Sequence, residues 1–270
     1  MRRLVDCEPM SPTEHPEEQD EGIRLSKRLA AQLGCSRAEA ELYIESGAVQ
    51  VDGVRVQTPA TRVRPAQTVT VQEGAKPDGA PPVTLLLHKP AGYTVRNPQG
   101  ARGHTRGKVG NAYDLLVPEN LAKMDTPAPI LVLQKHFKNL ECLLPIPVPA
   151  SGLMVFTQDH RVARKLQEEA LYMEQEVIVE VRGTIDEGGL ERLCDGTAID
   201  GKRLPKIKVS WQNETHLRFA LKGIFPEEIA EMCECVGLEV TGMKRQRIGR
   251  ISLAKLPEGQ WRYAMPWERF

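Results

Sequence analysis

The sequence predicts an α+β chain in two parts: a small helix-and-hairpin unit, then a larger region with a mixed, mostly antiparallel sheet flanked by helices. Three observations carry that prediction. Between residues 22 and 47, apolar residues recur at helical spacing in two segments, each closed by a glycine. Residues 48–56, Ala-Val-Gln-Val-Asp-Gly-Val-Arg-Val, alternate apolar and polar around Asp52-Gly53, a strong hairpin signal. From Thr84 onward, short apolar strands are interleaved with a few helical stretches.

Composition narrows the function. Among 270 residues, 36 Lys and Arg balance 36 Asp and Glu, so the net charge is zero. A protein that coats a polyanion with one overall field carries a large positive excess, so only a local basic face is compatible with such a partner. Hydrophobic residues at 41% are enough for a core, and aromatics at 5% are too few for extended stacking platforms. No stretch of about 18 apolar residues exists, so no membrane contact is expected. Residues 1–21 lack the apolar segment of a secretory signal, and a cytoplasmic location is expected. The six cysteines are scattered, with Cys233 and Cys235 the only close pair and no zinc spacing. Reduced thiols, no metal and no cofactor follow as expectations.

The elements come in this order. Residues 1–21 hold seven acidic residues, Asp6 to Glu21, against Arg2 and Arg3, and read as a disordered acidic tail. Residues 22–72 form the small unit. Leu25, Leu29, Ala30 and Leu33 make one helix face that stops at Gly34; Ser36 caps a second helix with Ala40, Tyr43 and Ile44 on one face, ending at Gly47. The hairpin and a strand at residues 68–71 complete it. Residues 73–83, rich in Gly and Pro, read as a linker. In the region 84–270, residues 84–93 read as a buried strand running into a turn, and strands are expected at 151–159, 176–181, 207–211 and 216–221, with helices at 162–170, 190–194 and 227–236. Residues 250–253 and 261–263 are expected to close the sheet.

Cations cluster in three places. Arg24, Lys27 and Arg28 share a helix flank in the small unit and Arg37 opens the next helix, and cations converging at helix starts suit a phosphate backbone. Lys89, Arg96, Arg102, Arg106 and Lys108 run through a Gly-rich loop. Arg245, Arg247 and Arg250 make a third strip.

Residues 23–29 (Ile-Arg-Leu-Ser-Lys-Arg-Leu), 35–40 (Cys-Ser-Arg-Ala-Glu-Ala) and 44–53 (Ile-Glu-Ser-Gly-Ala-Val-Gln-Val-Asp-Gly) resemble the S4 RNA-binding module, an αL-like fold, over its whole length. The resemblance implies that the first two helices face structured RNA and that Arg24, Lys27, Arg28, Ser36 and Arg37 contact it. Ser26 stands where the module usually has Asp, and Ala38 where a second Arg is common.

The region 84–270 resembles RNA pseudouridine synthases of the RsuA/RluF type, which carry an S4 module at the N-terminus. The shared marks are residues 87–92 (Leu-His-Lys-Pro-Ala-Gly), 113–116 (Tyr-Asp-Leu-Leu), 151–159 (Ser-Gly-Leu-Met-Val-Phe-Thr-Gln-Asp), 232–240 (Met-Cys-Glu-Cys-Val-Gly-Leu-Glu-Val), 244–248 (Lys-Arg-Gln-Arg-Ile) and 256–262 (Leu-Pro-Glu-Gly-Gln-Trp-Arg). Members flip a uridine out of its stack and attack it with an aspartate. Anchored on Ser151-Gly152-Leu153, the resemblance puts Pro147 at the aspartate position and Pro145 at its partner arginine. Proline has no ionisable side chain, so neither role is filled in place. Val177 stands where the base-stacking tyrosine is expected, and Gln175 where a lysine is. Glu227, Ala230 and Glu231 occupy positions where members hold arginines, and carboxylates near phosphate repel it.

Three readings follow. The first is an RNA-binding monomer, with rRNA as its partner, on a synthase scaffold that does no chemistry. The second is an active isomerase using a displaced carboxylate such as Asp125; Asp159 reads as a loop residue. The third is an adaptor whose acidic helix and acidic tail face a basic protein partner.

Overall fold

The computed structural model describes residues 22–96, 109–123, 130–196, 198–199 and 202–270. The acidic tail, Arg102, Arg106 and Asp125 therefore lie outside the described residues. The chain divides into two compact units at Ala80–Pro81.

In the first unit, β1 (Ile23–Arg24) leads into α1 (Leu25–Leu33), and α2 (Arg37–Glu45) follows after a tight turn. Gly34 ends α1 in the left-handed conformation, φ 64°, where a side chain would be strained. Ser36 caps α2: its Oγ accepts from Glu39 N, and Ser36 N donates to Glu39 Oε2 at 2.8 Å. The strands β2 (Val49–Val51) and β3 (Val54–Arg55) meet at Asp52-Gly53, both with positive φ, as a two-residue hairpin requires. Next come β4 (Arg62–Val63), which pairs antiparallel with β1, and β5 (Val69–Val71), which pairs with β2. Leu25, Leu29, Ala40, Ile44, Val49 and Val63 are fully buried between helices and sheet. The helical periodicity and the alternation thus both aim at one core, as the sequence implied.

The second unit is built on a nine-stranded sheet. Its strands are β6 (Thr84–Lys89), β7 (Glu141–Leu143), β8 (Ser151–Thr157), β9 (Gln175–Gly183), β12 (Lys208–Asn213), β13 (His216–Leu221), β14 (Leu238–Ile248), β15 (Ile251–Ser252) and β16 (Trp261–Tyr263). A separate hairpin joins β10 (Ala198–Ile199) and β11 (Lys202–Arg203). The order is β12-β13-β9-β14-β8-β6-β16, with β15 on β14 and β7 on β8. Every pairing is antiparallel except β14 with β8, so the sheet is mixed, as expected. The helices α3 (His160–Glu168), α4 (Gly189–Asp195) and α5 (Ile229–Glu234) flank it. No helix among the described residues is long and apolar enough to cross a membrane.

Two details position the site. At the parallel join, Gly152 (φ 118°) pairs with Arg245, and a Cβ there would overlap the Arg245 backbone; only glycine lets β8 and β14 approach so closely. The central strand β14, eleven residues long, is the main element the sequence pattern does not announce. Residues 251–253 and 261–263 also part company: β15 pairs with β14, whereas β16 forms the edge beside β6.

Candidate functional site

In the first unit the structure brings Arg24, Lys27 and Arg37 to one concavity of about 240 Å³, whose remaining walls are Gly22, Ile23 and Arg62. Arg24 and Lys27 are exposed, placed by the first turn of α1. Arg37 opens α2 and makes an exposed ion pair with Glu41 at 3.4 Å. Arg62 was not among the expected contacts; it arrives because β4 pairs Arg62 directly with Arg24. Its signal, a cation two residues from Arg64 in an alternating stretch, is visible only once the register is known.

Arg28 takes a different role. Its guanidinium donates to the carbonyls of Arg64 (2.5 Å), Pro65 (3.3 Å) and Gln67 (2.6 Å), fastening the turn before β5. It works as a strut rather than as an outward-facing contact. Ser36 spends its hydroxyl on the α2 cap. At the buried start of α1, Ser26 Oγ lies without a hydrogen-bond partner, where the module's usual Asp would sit.

In the second unit the decisive stretch joins β7 to β8: Leu144-Pro-Ile-Pro-Val-Pro-Ala150. Pro145 is exposed and Pro147 half-buried. The stretch is pinned from behind. Lys89, fully buried, donates from Nζ to the carbonyls of Tyr93 (2.9 Å), Pro90 (3.0 Å) and Val148 (3.2 Å), and Gly92 N also donates to Val148 O at 2.8 Å. Burial, with the Arg245 charge second, pulls the Lys89 ammonium down to about 8.

Arg245 is 1% exposed. Its Nε and Nη2 donate to Leu153 O at 2.8 and 2.7 Å, and its Nη1 to Gln175 Oε1 at 2.9 Å. Burial lowers it to about 10. Lys89 and Arg245 were expected at an RNA surface, and the structure corrects both. They sit on interior strands of the sheet, side chains inward, bound to carbonyl and amide oxygens. Arg247 is also engaged: it donates to Gly249 O and pairs with Glu174 at 2.5 Å and Glu176 at 3.4 Å. The expected third basic strip is thus broken by its own acidic partners, although Arg250 stays exposed.

Two cavities flank the proline stretch. One, about 470 Å³, is walled by Cys142, Pro145, Leu166, Gln175, Phe225 and Arg245 among others; the second, about 200 Å³, by Pro147, Pro149, Ala230 and Val240–Met243. Pro226 and Glu227 line both. Glu227 and Glu231 are exposed on the 3-10 turn and α5, beside the proline stretch. Burial pushes the Cys142 thiol up to about 12, which disfavours the thiolate a nucleophile needs. Asp159 is the N-cap of α3: its carboxylate accepts from Arg161 N and pairs with the Arg161 guanidinium, which holds it below the usual carboxylate range. Val177 lies fully buried in the apolar core, opposite Phe219 and Arg245 on the neighbouring strands, and presents no ring to either cavity.

Comparison with known proteins places these features in context. Residues 23–69 match the S4 domain family. A protein of Arabidopsis thaliana named as a chloroplastic ribosomal large subunit pseudouridine synthase is 30% identical over 243 residues; the match takes in 85% of this chain and 55% of that protein, so the chain spans about half its length. The dual-specificity RNA pseudouridine synthase RluF of Escherichia coli is 27% identical, with 90% of this chain and 76% of that protein covered. The ribosomal large subunit pseudouridine synthase B of Salmonella typhi is 30% identical, with 88% and 78% covered. A crystal structure of a pseudouridylate synthase superposes with a TM-score of 0.54 at 18% identity, covering 90% of this chain and 96% of that one, which establishes a shared fold.

Proposed function

The chain belongs to the family of RsuA/RluF-type RNA pseudouridine synthases with an N-terminal S4 domain, and from that premise we propose that it binds ribosomal RNA without isomerising uridine. The observation that carries this reading is the stretch before β8. The family resemblance sets Pro147 and Pro145 at the positions of the nucleophilic aspartate and its arginine, and a proline side chain can neither donate, accept a proton nor attack.

The surroundings support the same reading. The buried cations Lys89 and Arg245 are satisfied by main-chain carbonyls and by Gln175, and among the described residues neither donates to a carboxylate. Val177 offers no aromatic face for a flipped base. Glu227 lines both cavities beside the proline stretch and repels a phosphodiester. The basic concavity of the S4 unit remains, so RNA binding is assigned there. Asp159, one of two candidate displaced carboxylates, is occupied as a helix cap; Asp125 is the other, and the test includes it.

The acidic face of α5 gives the adaptor reading its specific observation. Glu231 and Glu234 are exposed on it, beside exposed Glu227. A basic protein partner would be recovered with the chain after nuclease treatment, whereas an RNA-held complex would fall apart.

One experiment tests the main reading. The protein is incubated with rRNA carrying tritium at uridine C5, and both retention of the RNA and release of tritium are followed. Binding without release is expected. Release sensitive to Asp125→Asn would establish the displaced-carboxylate isomerase instead.

A further inference from the structure

The two cavities beside the proline stretch share an unusual lining: apolar walls, an open buried amide and a carboxylate left over. Among the described residues, the larger cavity has two carboxylates, Glu141 and Glu227, against one cation, Arg245. Arg245 is tied to Leu153 O and Gln175 Oε1, and Glu141 Oε1 accepts from Gln167 Nε2 at 2.6 Å. Glu227 makes no hydrogen bond or ion pair among the described residues, although its charge reaches Arg245. It is also the one charged wall of the smaller cavity among those residues.

Gln175 supplies the second observation. It is 1% exposed and lines the larger cavity. A guanidinium only donates, so the Gln175 oxygen must face Arg245 and its NH2 must point away. That NH2 has no partner among the described residues. The unpartnered side-chain atoms sealed from solvent lie elsewhere, at Ser26 and His88, so the NH2 opens on the cavity. A donor in this position calls for a carbonyl oxygen.

The walls are apolar and fixed in advance. Leu166 and Pro145 face the larger cavity, and Phe225, 39% exposed, extends its lip. Val148, between Pro147 and Pro149, is 42% exposed. Proline fixes φ, and Lys89 Nζ and Gly92 N both hold Val148 O, so the wall needs little ordering when a partner arrives. A negative rim over an apolar, pre-formed floor complements a positive chain with an apolar anchor, and repels a phosphodiester.

We propose that these two cavities, joined by Pro226 and Glu227, seat an extended segment of a basic protein. An apolar or aromatic side chain enters the larger cavity, a main-chain carbonyl accepts from the Gln175 amide, and a flanking arginine or lysine pairs with Glu227. The proposal rests on the adaptor reading of the acidic α5 face and gives that partner a seat and a chemistry.

The probe is the labelled heptapeptide Ser-Gly-Arg-Phe-Arg-Gly-Ser, with Leu or Trp also tried at its centre, followed by fluorescence anisotropy on the full chain. Replacing the central residue by Ser is expected to weaken binding by about tenfold or more, and replacing both Arg by Glu to abolish it. Glu227→Gln is expected to weaken the basic peptide by about threefold and to flatten its salt dependence. Ala170→Trp, a ring added at a half-buried wall of the larger cavity, should block it. Glu214→Lys, at the exposed β12–β13 turn, should bind as wild type does. A short oligouridylate is expected not to displace the peptide; displacement that strengthens in Glu227→Gln would make the cleft an RNA seat and overturn the proposal. Absence of saturable binding of every basic peptide up to about 1 mM would overturn it too, as would binding untouched by both Glu227→Gln and Ala170→Trp. A basic protein retained equally by wild type and these two variants after nuclease treatment would remove the seat and leave the adaptor reading standing; peptide binding with no such protein retained would do the reverse.

Discussion

Lys89 Nζ donates to the carbonyl oxygen of Val148 at 3.2 Å, the residue next to Pro147. A fully buried ammonium thus holds in place the proline stretch on which the proposed loss of activity rests. Its work there is to fix main chain.

The pH dependence follows from that burial. The Lys89 ammonium is pulled down to about 8, well below the unfolded value of about 10.4. Between those two values the unfolded chain binds the extra proton, so stability rises with pH there; below about 8 the cost of the buried charge is fully present. Urea midpoints of wild type and Lys89→Met should therefore diverge, wild type gaining about 2 kcal/mol relative to the variant between pH 8 and pH 10. Parallel curves across that window would show that burial does not depress the Lys89 ammonium.

Arg245 makes the companion case at the β8–β14 join. Arg245→Ala would leave Leu153 O and Gln175 Oε1 unsatisfied inside the sheet and open a cavity behind the proline stretch. A loss of about 3 kcal/mol or more is expected in urea unfolding of the second unit. The intrinsic RNA affinity of the folded fraction should change little, because the guanidinium reaches no surface. A stable variant with weakened RNA binding would restore Arg245 to the RNA contacts.

Arg28 and the Arg24/Arg37 pair should behave oppositely. Arg28→Ala removes three carbonyl contacts and should cost about 1–2 kcal/mol of stability, with a near-normal salt slope for RNA. Arg24→Ala with Arg37→Ala should keep the fold and lose the RNA affinity. Equal salt slopes for the two variants would mean that the strut role of Arg28 is incomplete.

Much of this was legible in the chain. Helix stops at Gly34 and Gly47, the Ser36 cap and the Asp52-Gly53 hairpin are local signals, and each folds as read. Helical spacing made Arg24 and Lys27 legible as neighbours, and Arg37 joins them through the packing of α2 beside the start of α1. What failed was depth. Lys89, Arg245 and Arg247 read as surface charge because a cation in sequence carries no sign of its neighbours. On β6 and β14 the sheet turns Lys89 and Arg245 inward, and long-range carbonyls satisfy them. The strand β14 escaped because its polar run from Lys244 to Arg247 masks the alternation, and its partners β9 and β8 lie far away in sequence. Arg62 escaped for the same reason: only the β1–β4 register sets it opposite Arg24.

The most direct measurement is tritium release from rRNA labelled at uridine C5, run beside an active synthase of the same family under identical conditions. If Pro147 and Pro145 replace the ionisable pair, as proposed, release should stay at the level of protein-free RNA while the RNA is retained. Stoichiometric or catalytic release by the wild-type chain would contradict that, and would mean that a carboxylate elsewhere performs the attack.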